Sequence, residues 1–142
     1  MSIVSKPAKC TQETALALPL FLSRIEAGFP SPADDYIEDR VDLNEHLIDN
    51  PSATFLVRVK GDSMKDAGIH SGDTLIVDRS QEPQSGDVVV AVVNGNLAVK
   101  RLRVEEDGVR LLSENEKYDP VDVGENEQFR IWGVVTSVVH SV

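Results

Sequence analysis

The chain has 142 residues, 41% of them hydrophobic, and a formal net charge of −10 at pH 7. This length suits one domain with a core of its own, and the acidic excess argues against binding duplex DNA, whose phosphates attract lysine and arginine. No apolar run is about 18 residues long and no basic segment precedes one, so we expect no membrane span or export signal, and the single cysteine, Cys10, suits the reducing cytoplasm.

The first 27 residues are predicted to form a flexible N-terminal arm. Residues 1–15 are polar and show no clear period, so Cys10 within them is a poor candidate for a nucleophile. Residues 16–22 are apolar, but Pro19 argues against a long helix or a central strand. We therefore expect this apolar stretch to pack in extended form.

Two small residues, Ala27 and Gly28, follow the arm. Pro30 and Pro32 favour extended backbone around them. An extended segment with a small-small peptide bond is what the groove of a protease accepts. The alternative is a linker, which the composition alone favours.

From residue 42 the pattern predicts one short helix and then strands. Asp42-Leu43-Asn44-Glu45 resembles a capping box, which predicts a helix over 42–49 ended by Asn50-Pro51. Asn94-Gly95 predicts a tight type I′ hairpin. Runs rich in Val, Ile and Leu predict strands over 54–60, 73–78, 86–93, 96–104, 109–113 and 129–139. The fold class is therefore mostly β, a compact, partly closed antiparallel fold.

A polar turn, Gly61-Asp62-Ser63-Met64, follows the first of these strands. Such a turn would hold a serine exposed and rigid, as a nucleophile requires. The backbone N–H groups of Asp62 and Ser63 would then stabilise an oxyanion. A turn of this composition without any chemistry is the alternative interpretation.

Histidine is a poor partner for Ser63. None of His46, His70 and His140 lies in a motif that would pair it with the serine, and Lys65 occupies the second glycine position of a nucleophile elbow. The histidines are also too sparse for a metal site, so we predict no metal and no cofactor.

Lys100 is the better candidate for a base. Period two places it on an apolar strand face with Ala98, Leu102 and Val104, while arginines occupy the other face. Burial disfavours the charged form of a lysine and lowers its pKa, so a neutral amine could take the Ser63 proton. The alternative is that the side chain extends to solvent.

Together these residues resemble the self-cleaving Ser-Lys peptidases of the LexA and UmuD family. Gly61-Asp62-Ser63-Met64 resembles the nucleophile motif, Val99-Lys100 the lysine motif, and Ala27-Gly28 the self-cleaved bond. The resemblance covers the chain from about residue 17 to its end. Further stretches resemble the UmuD type in particular: 29–36, 42–44, 71–73, 75–78 and 133–135.

The resemblance implies a function and partners that composition does not show. It implies catalytic Ser63 and Lys100, cleavage between Ala27 and Gly28, an arm of residues 1–27, and a β-domain of residues 28–142 with the fold shared by LexA and signal peptidases. It also implies a cytoplasmic homodimer in the SOS response to DNA damage. A RecA filament on single-stranded DNA would stimulate cleavage, and the product would assist a UmuC-type Y-family translesion polymerase. The alternative is a non-catalytic acidic β-domain that docks onto a polymerase.

Overall fold

The computed structural model describes residues 3–4, 8–9, 15–21, 27, 37–118, 121–122 and 129–142. The chain divides into two compact units. One unit comprises Met1–Cys10 and Asn50–Val142, and the other comprises Thr11–Asp49. The predicted boundary between residues 27 and 28 stays a prediction, because it concerns processing of the chain.

Strands dominate the described residues. The single α-helix among them, α1, spans Leu43–Leu47, and two short 3₁₀ helices span Pro51–Ala53 and Lys65–Ala67. In chain order the strands are β1 (Ile3–Val4), β2 (Ala8–Lys9), β3 (Ala17–Phe21), β4 (Ile37–Asp42), β5 (Thr54–Lys60), β6 (Thr74–Asp78), β7 (Val88–Val93), β8 (Asn96–Glu105), β9 (Gly108–Leu112), β10 (Val121–Asp122) and β11 (Phe129–Val139).

The larger unit is built on a nine-stranded sheet whose strand pairs are antiparallel. Its order is β1-β5-β6-β11-β7-β8-β9-β10, and β2 also pairs with β5. Ile3 pairs with Lys60 of β5 and with Ala98 of β8, so β1 joins the two strands and closes the sheet on itself. The predicted fold class, mostly β, antiparallel and partly closed, is confirmed.

The core of this unit comprises two apolar clusters, because β7 is buried on both faces: Val90 belongs to one cluster, and Val89 and Ala91 belong to the other. Inward residues alternate along β5, where Val57 and Val59 are buried and Arg58 and Lys60 are exposed. These two valines share one apolar cluster with Met64 and Val99. The residues next to Ser63 and Lys100 in the chain are therefore anchored in the same core.

The Asn94-Gly95 hairpin has the predicted geometry. It joins the end of β7 to the start of β8, and its two residues have φ values of 50° and 82°. A type I′ turn requires positive φ at both central positions, which Asn and Gly tolerate best. This turn sets the register that pairs Lys100 with Val89.

The smaller unit contains a two-stranded sheet and α1. β3 pairs antiparallel with β4, and Pro19 lies opposite Arg40. A proline is compatible here because both strands of a two-stranded sheet are edges. The Asp42 carboxylate accepts a hydrogen bond from the Asn44 N–H at 3.0 Å, so α1 begins at the predicted cap. The helix is shorter than predicted, because Ile48 is already extended.

We predict that Gly133→Ala destabilises the larger unit by about 1–3 kcal/mol, the usual cost of overpacking a core. Gly133 lies at a register shift of β11, and a Cβ there would be 2.5 Å from Cγ1 of the fully buried Val77. A short, β-branched side chain has little freedom to move away. Urea unfolding of the wild type and the variant measures the difference.

The control for this prediction is the same change in a Val77→Ala background. Removing the Val77 methyl groups relieves the overlap, so Gly133→Ala should then cost much less. An equal cost in both backgrounds would contradict steric overlap as the cause.

Candidate active site

The Ser63 turn is held by backbone bonds of its own. Gly61 has a φ of 100°, a conformation that glycine adopts freely, and it turns the chain at the end of β5. The Lys65 N–H donates to the Asp62 carbonyl oxygen at 3.2 Å, which closes the turn, and a 3₁₀ helix follows. The sequence thus places Ser63 in a tight turn after a strand, as predicted.

Ser63 is buried, which corrects the expectation of an exposed serine. Both Ser63 and Met64 have a relative exposure of 0%. The Met64 side chain packs in the same apolar cluster as Val57 and Val59, and this packing buries the adjacent part of the turn. Sequence alone suggested an exposed polar turn because three of its four residues are small or polar.

Lys100 is buried against the sheet and does not reach the surface of the protein. The residue is 3% exposed and is flanked by buried Ala98 and Leu102 on its own strand. Its partner on β7 is the fully buried Val89. The interpretation that Lys100 extends into solvent is therefore wrong. The predicted apolar face ends earlier than expected, since Val104 is 52% exposed.

Burial lowers the pKa of the Lys100 amine from its ordinary value of 10.5. Removing an ammonium group from water disfavours its charged form. The Glu114 carboxylate, in the segment that follows β9, is paired with Arg101, whose Nε donates to Glu114 Oε1 at 2.8 Å. The amine is therefore biased towards the neutral form that a general base requires.

The stretch 113–118, which we call the bracing segment, contacts both sides of the candidate site. Lys100 Nζ donates to Ser113 Oγ at 2.5 Å. Asn115 Nδ2 donates to the Asp62 carbonyl oxygen at 2.9 Å, and the Asp66 N–H donates to the Glu114 carbonyl oxygen at 2.8 Å. Asn115 is itself buried, so this bond is shielded from water.

These bonds bring the two predicted catalytic residues to the same short stretch of chain. Ser113 touches Lys100, and Asn115 touches the peptide group that Asp62 shares with Ser63. Two residues along an extended chain span about 7 Å. One short segment therefore contacts both Lys100 and the turn that carries Ser63.

The Asp62 carbonyl oxygen accepts two bonds, one from Asn115 and one from the Lys65 N–H. A peptide group is planar, so fixing this carbonyl also fixes the direction of the Ser63 N–H, which points the opposite way. This arrangement suits a rigid backbone donor, which is what an oxyanion hole needs.

A charged group at the rim also holds the turn. The Tyr118 hydroxyl donates to Asp62 Oδ1 at 2.8 Å, and this bond lowers the pKa of the exposed Asp62 carboxyl group. It also raises the pKa of Tyr118. Asp62 therefore stays ionised and tied to the bracing segment at neutral pH.

The structure describes most of the other residues that the sequence singled out. Ala27 is exposed in a bend, and Gly28 lies outside the described residues. His46 and His70 are exposed, and His140 Nδ1 lies 2.5 Å from the buried Asp73 carboxylate. Within the described ranges, no group of three His, Cys, Asp or Glu residues is placed to hold a metal ion.

Sequence reasoning missed Ser113, Asn115 and Tyr118. Ser113 is the last residue of the predicted strand 109–113, and Asn115 and Tyr118 follow it in a polar stretch that carries no period and no known motif. The signal that was available is the register of β8 with β9, in which Arg101 pairs with Leu112. Extended by one residue, this register places Ser113 opposite Lys100.

Comparison with known proteins matches this arrangement to a family. The model of the family described as "Peptidase S24-like" matches residues 19–136. The chain belongs to this family. The protein SamA of Salmonella typhimurium strain LT2 is 44% identical over 138 residues, which cover 97% of this chain and 94% of SamA.

Two further relatives have similar coverage. The protein ImpA of Escherichia coli is 41% identical over 147 residues, covering 98% of this chain and 94% of ImpA. The protein MucA of Escherichia coli is 42% identical over 121 residues, covering 84% and 82%. The chain is a UmuD-type member of the LexA and UmuD family. Family and relatives together support a peptidase of the S24 type and a role in SOS mutagenesis.

The helices in the described part of the chain are too short or too polar to cross a membrane.

Proposed function

We propose that this protein cleaves its own chain between Ala27 and Gly28, with Ser63 as nucleophile and Lys100 as general base. The buried Lys100 amine carries the proposal, because burial lowers its pKa and the bracing segment ties it to the serine turn. A lysine serves as a base only when neutral, and burial favours the neutral form of an amine.

The reaction has two halves. Lys100 Nζ takes the proton of Ser63 Oγ, and the oxygen attacks the carbonyl carbon of Ala27. The bond to the Gly28 nitrogen then breaks, and Lys100 returns the proton to this leaving amine, which gives an ester between Ser63 and Ala27. In the second half, Lys100 takes a proton from water, and the oxygen of that water attacks the ester. The bond to Ser63 Oγ breaks, Lys100 returns the proton to Oγ, and Ala27 is released as a carboxylic acid that ionises in water.

Backbone N–H groups of Asp62 and Ser63 would stabilise the tetrahedral intermediate. Loss of one such donor typically costs about 3 kcal/mol. The fixed Asp62 carbonyl supports this role for Ser63, since the two groups share one planar peptide. Because Ser63 is buried, self-cleavage requires the bond between Ala27 and Gly28 to reach it. Tethering in the same chain would raise the effective concentration of that bond.

The cellular setting rests on the family. The processed fragment, residues 28–142, would act as a cytoplasmic homodimer and an accessory to a UmuC-type Y-family translesion polymerase. A RecA filament on single-stranded DNA would stimulate the cleavage. Membership of the S24-like family and the ImpA and MucA relatives support this setting. The net charge of −10 favours protein partners over direct contact with duplex DNA.

Incubation of the purified protein at alkaline pH tests the proposal. We expect two products, residues 1–27 and residues 28–142, the second with Gly28 as its new N-terminus. Alkaline pH favours the neutral amine, so cleavage should need no partner there. Intact-mass and N-terminal analysis identify the products.

The matched control uses the same substitution at two alanines. Ala27→Leu should block cleavage, because a small residue is expected before the bond, whereas Ala15→Leu, at an exposed residue outside the predicted bond, should not. A wild type that stays intact across the alkaline range, or is cut elsewhere, would leave the non-catalytic acidic docking domain as the better account.

A further inference from the structure

We propose that Ser113 is a positioning residue that orients the Lys100 amine towards Ser63, an inference that rests on the proposed function. The observation is the hydrogen bond from Lys100 Nζ to Ser113 Oγ at 2.5 Å. It connects the predicted base to a second hydroxyl that neither the motifs nor the family match assigns.

The sheet makes Ser113 the polar neighbour of Lys100. The neighbours of Lys100 on the same face of β8 are Ala98 and Leu102, and its partner on β7 is Val89. All three are apolar. On the other side the β8–β9 register, extended by one residue, leads to Ser113. Side chains directly opposite each other have Cβ atoms about 4.5–5.5 Å apart, which lets a lysine fold over to reach the hydroxyl.

The position of Ser113 is fixed by the residues that follow it. The Glu114 carbonyl oxygen accepts the Asp66 N–H, and Asn115 donates to the Asp62 carbonyl oxygen. Both partners flank Ser63 in the chain. Ser113, which accepts the hydrogen bond from Lys100, is therefore fixed by contacts with the turn that carries Ser63. These contacts restrict the movement of Lys100 relative to Ser63.

The chemistry explains why a hydroxyl suits this position. A neutral amine has two N–H bonds and one lone pair, and only the lone pair can accept the Ser63 proton. When Ser113 Oγ accepts one N–H, it restricts rotation of the amine and leaves the lone pair for Ser63. A carboxylate at residue 113 would also accept the N–H, but its charge would favour the ammonium form and raise the pKa of the lysine.

The test measures the rate of self-cleavage from neutral to strongly alkaline pH for three variants. Ser113→Ala should lower the plateau rate about 10- to 100-fold, the scale expected when a reacting group is misplaced by about 1 Å. Ser113→Thr keeps the hydroxyl and should restore most of the plateau. Ser113→Asp should move the midpoint of the pH profile upward by about one unit or more.

Folding is checked separately by thermal unfolding of each variant. Ser52→Ala, at an exposed serine in the 3₁₀ helix Pro51–Ala53, is the matched control and should keep both plateau and midpoint. A purely structural role predicts equal losses in Ser113→Thr and Ser113→Ala, or a Ser113→Asp midpoint identical to the wild type. Either result overturns the positioning role.

Failure of this inference differs from failure of the proposed function. If Ser113→Ala cleaves at the wild-type rate while Ser63→Ala does not cleave, the positioning role is wrong and the Ser63 mechanism stands. If Ser63→Ala still cleaves and Ser113→Ala does not, Ser113 is the nucleophile, and both assignments are overturned.

Discussion

Ser63→Ala is expected to leave the protein at full length under conditions in which the wild type cleaves itself. Removing the nucleophile removes the covalent step, so the rate should fall on the order of 10³-fold or more. The Lys100 amine stays in place in this variant, but it has no hydroxyl to activate. Quantitative mass spectrometry of the intact chain and of the fragment 28–142, over hours at alkaline pH, measures the loss.

The variant should fold like the wild type. The substitution removes one hydroxyl and leaves Met64 in the apolar cluster, so the free energy of unfolding should change by no more than about 1–2 kcal/mol. Ser52→Ala provides the same chemical change at an exposed position, and we expect it to cleave normally. Continued cleavage between Ala27 and Gly28 in Ser63→Ala would show that Ser63 is not the nucleophile.

The strands of the larger unit were predictable because their side-chain pattern is strong. β5 over 54–60 and β11 over 129–139 have the predicted bounds. Val and Ile fit the pleated, half-buried surface of a sheet, and Gly, Asn and Asp end each run. These local preferences agree with the final packing, so the pattern alone was sufficient.

The N-terminal strands could not be predicted by the same means. β1 and β2 have two residues each, which is too short for any period to be visible. Pro19 argued against a central strand, and the structure instead has β3 as an edge strand paired with β4. Which edge a short strand joins depends on distant residues such as Lys60 and Ala98, so it is decided by tertiary packing.

The site shows the same division between local and distant information. Strand alternation correctly placed Lys100 on an apolar face, because alternation is a local property. The burial of Ser63 follows from Met64 packing into a cluster drawn from several strands. To identify Ser113 as the partner of Lys100 requires the register of β8 with β9. A hairpin centred near residues 106–107 sets that register. A register argument applied to the sequence would have found Ser113.

Self-cleavage is expected to accelerate with rising pH and then to reach a plateau, and the midpoint of this pH profile should lie below 10.5. Burial lowers the pKa of Lys100, so the neutral base becomes available at lower pH than for an exposed lysine. Below the midpoint the neutral fraction, and with it the rate, should rise about tenfold per pH unit. Rate measurements at constant ionic strength give the profile, and a flat rate from neutral to strongly alkaline pH would remove Lys100 from the role of base.

Two variants separate the amine from its charge. Lys100→Arg keeps a cation that stays protonated throughout this range, so it should not cleave at any pH. Lys100→Met has no charge and also should not cleave, but it should be more stable than the wild type near neutral pH. The sign of this difference follows from proton binding, because the pKa of Lys100 is lowered in the folded state. Between that pKa and 10.5, the unfolded wild type binds more protons than the folded wild type. The free energy of unfolding of the wild type therefore falls as pH falls through this window. The stability advantage of Lys100→Met should therefore shrink above 10.5, whereas Lys60→Met, at an exposed lysine, should show neither the advantage nor the loss of cleavage.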